Sequence, residues 1–111
     1  MEIELTQGYY AWVDDENYVE LNSFKWHALV HGTNVYAVRF SSLRDGHKIT
    51  YMHHSVIGKP PKGFVTDHIN GCGVDNRRIN LQFITQSENI KKMNRNTPKL
   101  KKKFLRLIGI L

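Results

Sequence analysis

Between Asp67 and Asn89 the chain reads DHINGCGVDNRRINLQFITQSEN, a stretch that is hard to read as ordinary packing. Phe64-Val65-Thr66 is a short apolar strand that delivers Asp67 and His68 to its end. Asn70-Gly71-Cys72-Gly73 has turn chemistry, and Leu81-Gln82-Phe83-Ile84 alternates as a returning strand. Thr85 or Ser87 can cap a helix running to about Arg95, where Asn96-Thr97-Pro98 stops it. The order is strand, long turn, strand, helix. It brings Asn89, in the first turns of the helix, back toward the strand end that bears Asp67 and His68.

The segments upstream read as support for that unit. Glu2 to Thr6 alternates as a short strand, Gly8 marks a turn before Tyr10 to Val13, and Asp14 and Asp15 suit the start of a helix through Leu21. Phe24 to Val30 and Val35 to Phe40 form a hairpin around His31-Gly32-Thr33-Asn34. Lys48 to Met52 follows the Arg44-Asp45-Gly46 turn as a third strand. Trp12, Phe24, Trp26, Tyr36 and Phe40 are expected in the core of this small antiparallel sheet, although one of them could instead stack on a base. His53 and His54 precede one helical turn at Ser55-Val56-Ile57. Being adjacent, they point in different directions and make a poor chelating pair, so one is expected packed and the other exposed. Gly58 to Gly63, with its two prolines, is an irregular connection.

Length and charge bound the function. A chain of 111 residues with 41% hydrophobic and 23% charged residues fits one folded domain. The single Cys72 excludes an internal disulfide and a zinc site of several thiolates. No signal peptide is evident, and no apolar run approaches the roughly 18 residues of a membrane span, so a soluble cytoplasmic protein is expected. Residues 1–76 carry six Lys/Arg against nine Asp/Glu, whereas residues 77–111 carry ten against the lone Glu88. That basic half, holding Arg77, Arg78, Lys91, Lys92 and Arg95, favours a polyanion such as nucleic acid, although a solvated basic tail has the same composition.

The residues suggest phosphodiester hydrolysis assisted by one metal ion. A carboxylate and an amide oxygen, from Asp67 and Asn89, make a hard oxygen site suited to Mg2+ or Mn2+. His68 can take a proton from water near neutral pH if a neighbour holds its ring, and Asn80 is the expected neighbour. Arg77 and Arg78 would face phosphate. Asp-His and Asn-Gly are also common in purely structural turns, and spacing alone does not choose between the two readings.

The run HHSVIGKPPKGFVTDHINGCGVDNRRINLQFITQSEN closely resembles the HNH endonucleases of phages and mobile introns. The opening LTQGYYAWVDDENYVELNSFKWHA is similar to the N-terminal region of phage proteins of that family. The resemblance covers about residues 3–96 and implies an α+β fold, a small antiparallel sheet with a short helix (1–58) followed by a ββα-metal motif (59–96). It implies Asp67 and Asn89 as ligands of a divalent metal, His68 as general base and Asn80 as the middle residue that orders the loop. The third position is Asn rather than His, as in the homing-type branch. The upstream histidine of the family matches His53 or His54, with the PPKG spacing favouring His54. Double-stranded DNA in a phage-infected host cell is the implied substrate. A lone centre gives a nick, and paired cuts would call for a homodimer. In place of the AP2-like module usual in such relatives stands a basic-apolar tail, 97–111, which reads as a truncation. A catalytically inactive DNA-binding remnant is the alternative function, and an RNA-binding aromatic sheet a third.

Overall fold

The computed structural model describes residues 1–41 and 48–95, with side chains as far as Lys92. The Arg44-Asp45-Gly46 turn, the 97–111 tail and the side chain of Arg95 lie outside the described residues. The fold is α+β. Strands β1 (Glu2–Glu4) and β2 (Tyr10–Trp12) pair antiparallel, with Ile3 opposite Ala11, and helix α1 (Asp15–Asn22) follows. A three-stranded antiparallel sheet is then built from β3 (His27–His31), β4 (Asn34–Ser41) and β5 (Lys48–Tyr51) in the order β3-β4-β5. Its hairpin closes tightly, His31 opposite Asn34, over Gly32-Thr33, with Gly32 at φ 63°.

Helix α2 (Met52–Ile57) starts directly at the end of β5, so Met52, expected to close the strand, opens the helix and is wholly buried. Strands β6 (Phe64–His68) and β7 (Leu81–Thr85) form a second hairpin, with Asp67 opposite Gln82 and His68 opposite Leu81, and α3 (Gln86–Arg95) leaves its end. Thr85 starts α3 through a capping box. Its Oγ1 accepts from the Glu88 N–H at 3.2 Å, while Glu88 Oε1 accepts from the Thr85 N–H at 3.3 Å. Two otherwise unpaired donors are thereby satisfied. Asp14 stands at the start of α1 without capping it, because its carboxylate accepts from the Arg78 N–H at 2.9 Å instead.

The core is mainly aliphatic. Ile3, Leu5, Ala11, Val13, Leu21, Val35, Ala37, Met52, Val56, Val74 and Leu81 pack around Trp26, whose indole N–H donates to the Leu21 carbonyl at 2.7 Å. Burying side chains of this size stabilises the fold by about 1.5–3 kcal/mol each. The expected aromatic core is thus largely corrected. Phe24 and Phe40 are exposed, Trp12 and Tyr36 half-buried, and Arg39 of the central strand lies 4.2 Å over the Phe24 ring as a cation–π contact. Phe24 lies ahead of β3, outside the sheet, and Phe40 near the end of β4 is left on its exposed side.

The connection from β6 to β7 is the unusual part. Cys72, Val74, Asp75 and Asn76 are all at most 1% exposed, although their residue types read as a surface turn. The loop runs alongside β2. The Trp12 N–H donates to the Val74 carbonyl and the Asn76 N–H to the Trp12 carbonyl, both at 2.8 Å, making a parallel bridge between Trp12 and Asp75. From the other side, Asn34 clamps it, accepting from the Gly73 N–H at 3.0 Å and donating to the Gly71 carbonyl at 3.3 Å. Gly73 must be glycine because a Cβ there would stand 2.4 Å from the Val35 carbonyl oxygen and 2.7 Å from the Tyr36 ring.

Candidate active site

Asp67 and His68 end β6, and alternation along the strand sends their side chains to opposite faces. Both are buried, at 5% and 7% exposure. The His68 face meets the clamped loop and the end of the first sheet. Nε2 of His68 lies 2.9 Å from Asn76 Oδ1, and its ring stands 5.0 Å from His53 and 6.0 Å from Tyr36. With the amide oxygen as acceptor, Nε2 carries the proton and the lone pair is left on Nδ1. Burial pushes the His68 pKa below the ordinary histidine value, against the hydrogen bond to Asn76 and the charges of Asp67 and Asp75, which raise it. The ring is therefore neutral at neutral pH and available as a base.

The neighbour that holds this ring is Asn76, which corrects the expectation for Asn80. Asn80 instead orders the loop. Its Nδ2 donates to the Asp75 carbonyl at 2.8 Å and its Oδ1 accepts from the Asn70 N–H at 3.0 Å, while its own carbonyl accepts from the Ile69 N–H at 2.8 Å. Asn80 thus acts on His68 through the loop that presents Asn76. The Nδ2 of Asn76 is itself buried with no partner among the described residues.

Of the adjacent histidines, His53 is the one against the site, buried beside His68, and its pKa is lowered to about 3 by burial and then by the charges of His68 and His54. The PPKG spacing had favoured His54. His54 is half-buried, 4.5 Å from the His53 ring, and its pKa too is lowered by burial. A cleft of about 470 Å³ opens beside these rings, lined by Tyr36, Tyr51, His53, His54, Val65 and Thr66 among others. Its walls include Tyr36 and His53, the two rings that stand against His68.

On the other face Asp67 meets α3. Lys92 Nζ lies 2.7 Å from both Asp67 carboxylate oxygens and 2.7 Å from the His68 carbonyl oxygen, and Gln82 Nε2 donates to Asp67 Oδ2 at 2.7 Å. Three oxygens therefore converge on one positive charge. Asn89 lies three residues before Lys92, on the same side of α3 and half-buried, which puts an amide on the helix face that meets Asp67. The oxygens of Asp67 and the His68 carbonyl already surround an ammonium, and hard oxygens of this kind suit a divalent cation. Among the described residues no group of three or more His, Cys, Asp or Glu side chains is disposed to hold an ion. A cation here would thus rest on one carboxylate and neutral oxygens, keeping surplus positive charge to attract phosphate.

The basic residues divide. Arg77 turns back on Asp75, with Nε and Nη2 at 2.8 and 2.7 Å from its two carboxylate oxygens. Arg78 pairs with Glu16 at 3.3 Å, and Lys92 is drawn inward, whereas Lys91 is exposed on α3. Sequence reasoning did not foresee two of these contacts. Asn76 carries no signal beyond its place in the DNRR turn, and Lys92, expected to face a polyanion with the other basic residues, turns inward to Asp67. Among the described residues no helix is long and apolar enough to cross a membrane. In comparisons with known proteins, no family model, no curated protein and no solved structure matches this chain.

Proposed function

We propose that the chain is a metal-dependent endonuclease of the HNH type that hydrolyses phosphodiester bonds of DNA, one strand at a time. The observation that carries this reading is the pairing, across the last two residues of one strand, of a neutral buried histidine with an oxygen-lined cation site: His68 on Asn76, Asp67 on Lys92. Nucleophile activation and phosphate charge neutralisation are the two capacities that such a hydrolysis needs.

In this mechanism His68 accepts a proton from water at Nδ1 while Asn76 keeps the ring from turning. The water oxygen bonds to phosphorus as the bond to the 3′ oxygen breaks, the departing 3′ oxygen takes a proton from solvent water, and the products are a 5′-phosphate and a 3′-hydroxyl. Asp67 and Asn89 would hold Mg2+ or Mn2+, which supplies charge stabilisation at the phosphate and the departing oxygen. Asn80 keeps the loop, and with it Asn76, in place. Exposed Lys91, with Arg78, contributes to a basic surface for the DNA backbone, an attraction that weakens with salt.

The test incubates the protein with supercoiled plasmid in Mg2+, Mn2+ or EDTA, beside His68→Ala. Open-circular product is expected only with metal, and its rate should fall at least about a thousandfold in the variant. Full activity in His68→Ala would refute the proposal. Folded protein that shifts DNA on a gel but never nicks it would instead be a binding remnant.

A further inference from the structure

The basic residues of α3 invite one common reading, that of contacts to phosphate. Lys92 does not fit it. Its ammonium is held 2.7 Å from each oxygen of Asp67 and 2.7 Å from the carbonyl of His68, while its side chain is only 21% exposed. All three of its hydrogen-bond donors thus have acceptors, and each acceptor is an oxygen that a divalent ion on Asp67 would use or approach. We infer that Lys92 is an internal counter-ion of the metal site, and that a divalent cation binds only by displacing it from Asp67.

Charge and geometry both require the exchange. Two positive charges cannot share one carboxylate at contact distance without strong repulsion, even at the effective dielectric of a protein surface. The lysine is also built to leave. It rides on a four-carbon stem from a different element, and its partly exposed side chain has water close by when it withdraws. Without metal the arrangement keeps a buried carboxylate from standing unpaired, which would otherwise cost several kcal/mol. With metal, it releases an ammonium one helical turn from Asn89. The site is therefore expected to bind divalent ions weakly, because each ion must first exchange with a tethered competitor.

The inference rests on the metal reading given above, and its test separates the two. Mn2+ binding is measured by calorimetry or electron paramagnetic resonance on the unmodified protein, Lys92→Gln and Asp67→Asn, without DNA. Lys92→Gln should bind Mn2+ at least about tenfold more tightly than the unmodified chain, and Asp67→Asn should lose binding. Equal affinity in the unmodified chain and Lys92→Gln, with loss in Asp67→Asn, overturns the inference and leaves the metal site standing. Absence of binding in both, or binding indifferent to Asp67→Asn, overturns the metal reading and the inference with it. A second measurement needs no variant. Acetic anhydride labelling, read by mass spectrometry, should modify Lys92 several times faster with saturating Mg2+ than without, relative to exposed Lys91 as internal standard. An unchanged ratio counts against displacement even if Lys92→Gln proves unable to fold.

Discussion

Two buried carboxylates, eight residues apart, have cationic partners of different kinds. Asp75, 1% exposed, is held by the fork of Arg77 two residues away, by Asn70 Nδ2 at 2.7 Å and by the Arg77 N–H. Burial raises its pKa, but the hydrogen bonds from Arg77 and Asn70 outweigh that and leave it below the usual value. Asp67, 5% exposed, is held by a lysine from another element and by an exposed glutamine. A rigid, bidentate, local partner makes a fixed charge, and a flexible, remote one makes an exchangeable charge. The first carboxylate anchors a loop and the second is free to change partners.

Neutralising each in turn would break this contrast most directly. Asp75→Asn is expected to destabilise the protein by about 3–5 kcal/mol, since an amide N–H would face a buried set of donors. Asp67→Asn should cost only about 1 kcal/mol, because Lys92 and Gln82 can both turn to water. Urea unfolding of the two variants measures the difference, and equal losses would remove it. Asn80→Ala comes next, at about 2–3 kcal/mol, since it orphans the Asp75 carbonyl and the Asn70 N–H on the loop side while leaving the Asp67 side intact. Its DNA cleavage should fall as well, through misplacement of Asn76.

A separate, pH-dependent effect concerns His53 and His68. His53, at about 3, and His68 have folded pKa values below the unfolded value of 6.5. The unfolded chain therefore takes up protons first, so their contribution is complete above about pH 6.5 and is lost as pH falls. For His53 the slope is about 1.4 kcal/mol per pH unit and continues toward pH 3, and His68 acts in the same direction. Asp75, depressed from 3.8, keeps its contribution above about pH 3.8 and loses it as pH falls from there. Unfolding at pH 7, 6 and 5 should show the slope, and His53→Gln should flatten it.

What could be read from the sequence follows from which interactions are local. The two hairpins and the start of α3 were legible because alternation, the Gly32-Thr33 turn and the Thr85–Glu88 pair are all short-range signals. Asp67 and His68 stand out for the same reason, at the end of an apolar run. The β6–β7 loop was not legible as a buried element. Its Asn, Asp and Gly residues look like surface, and the partners that bury it, Trp12 and Asn34, lie tens of residues away. The same applies to the ring partner of His68. Asn76 and Asn80 are equally plausible by type, and only the loop path decides which reaches it.

The parallel bridge between Trp12 and Asp75 also bears on how the protein folds. It joins segments about sixty residues apart, and the Asp14–Arg78 hydrogen bond closes a loop of similar length. Ordering so long a chain segment carries an entropic cost before any of these bonds forms, which slows the step that makes them. During synthesis the first fourteen residues therefore wait for the loop that completes their sheet, and the surroundings of His68 are among the last features to become rigid. Amides of Trp12 and Asn76 should consequently exchange with solvent at the same rate, as members of one opening unit.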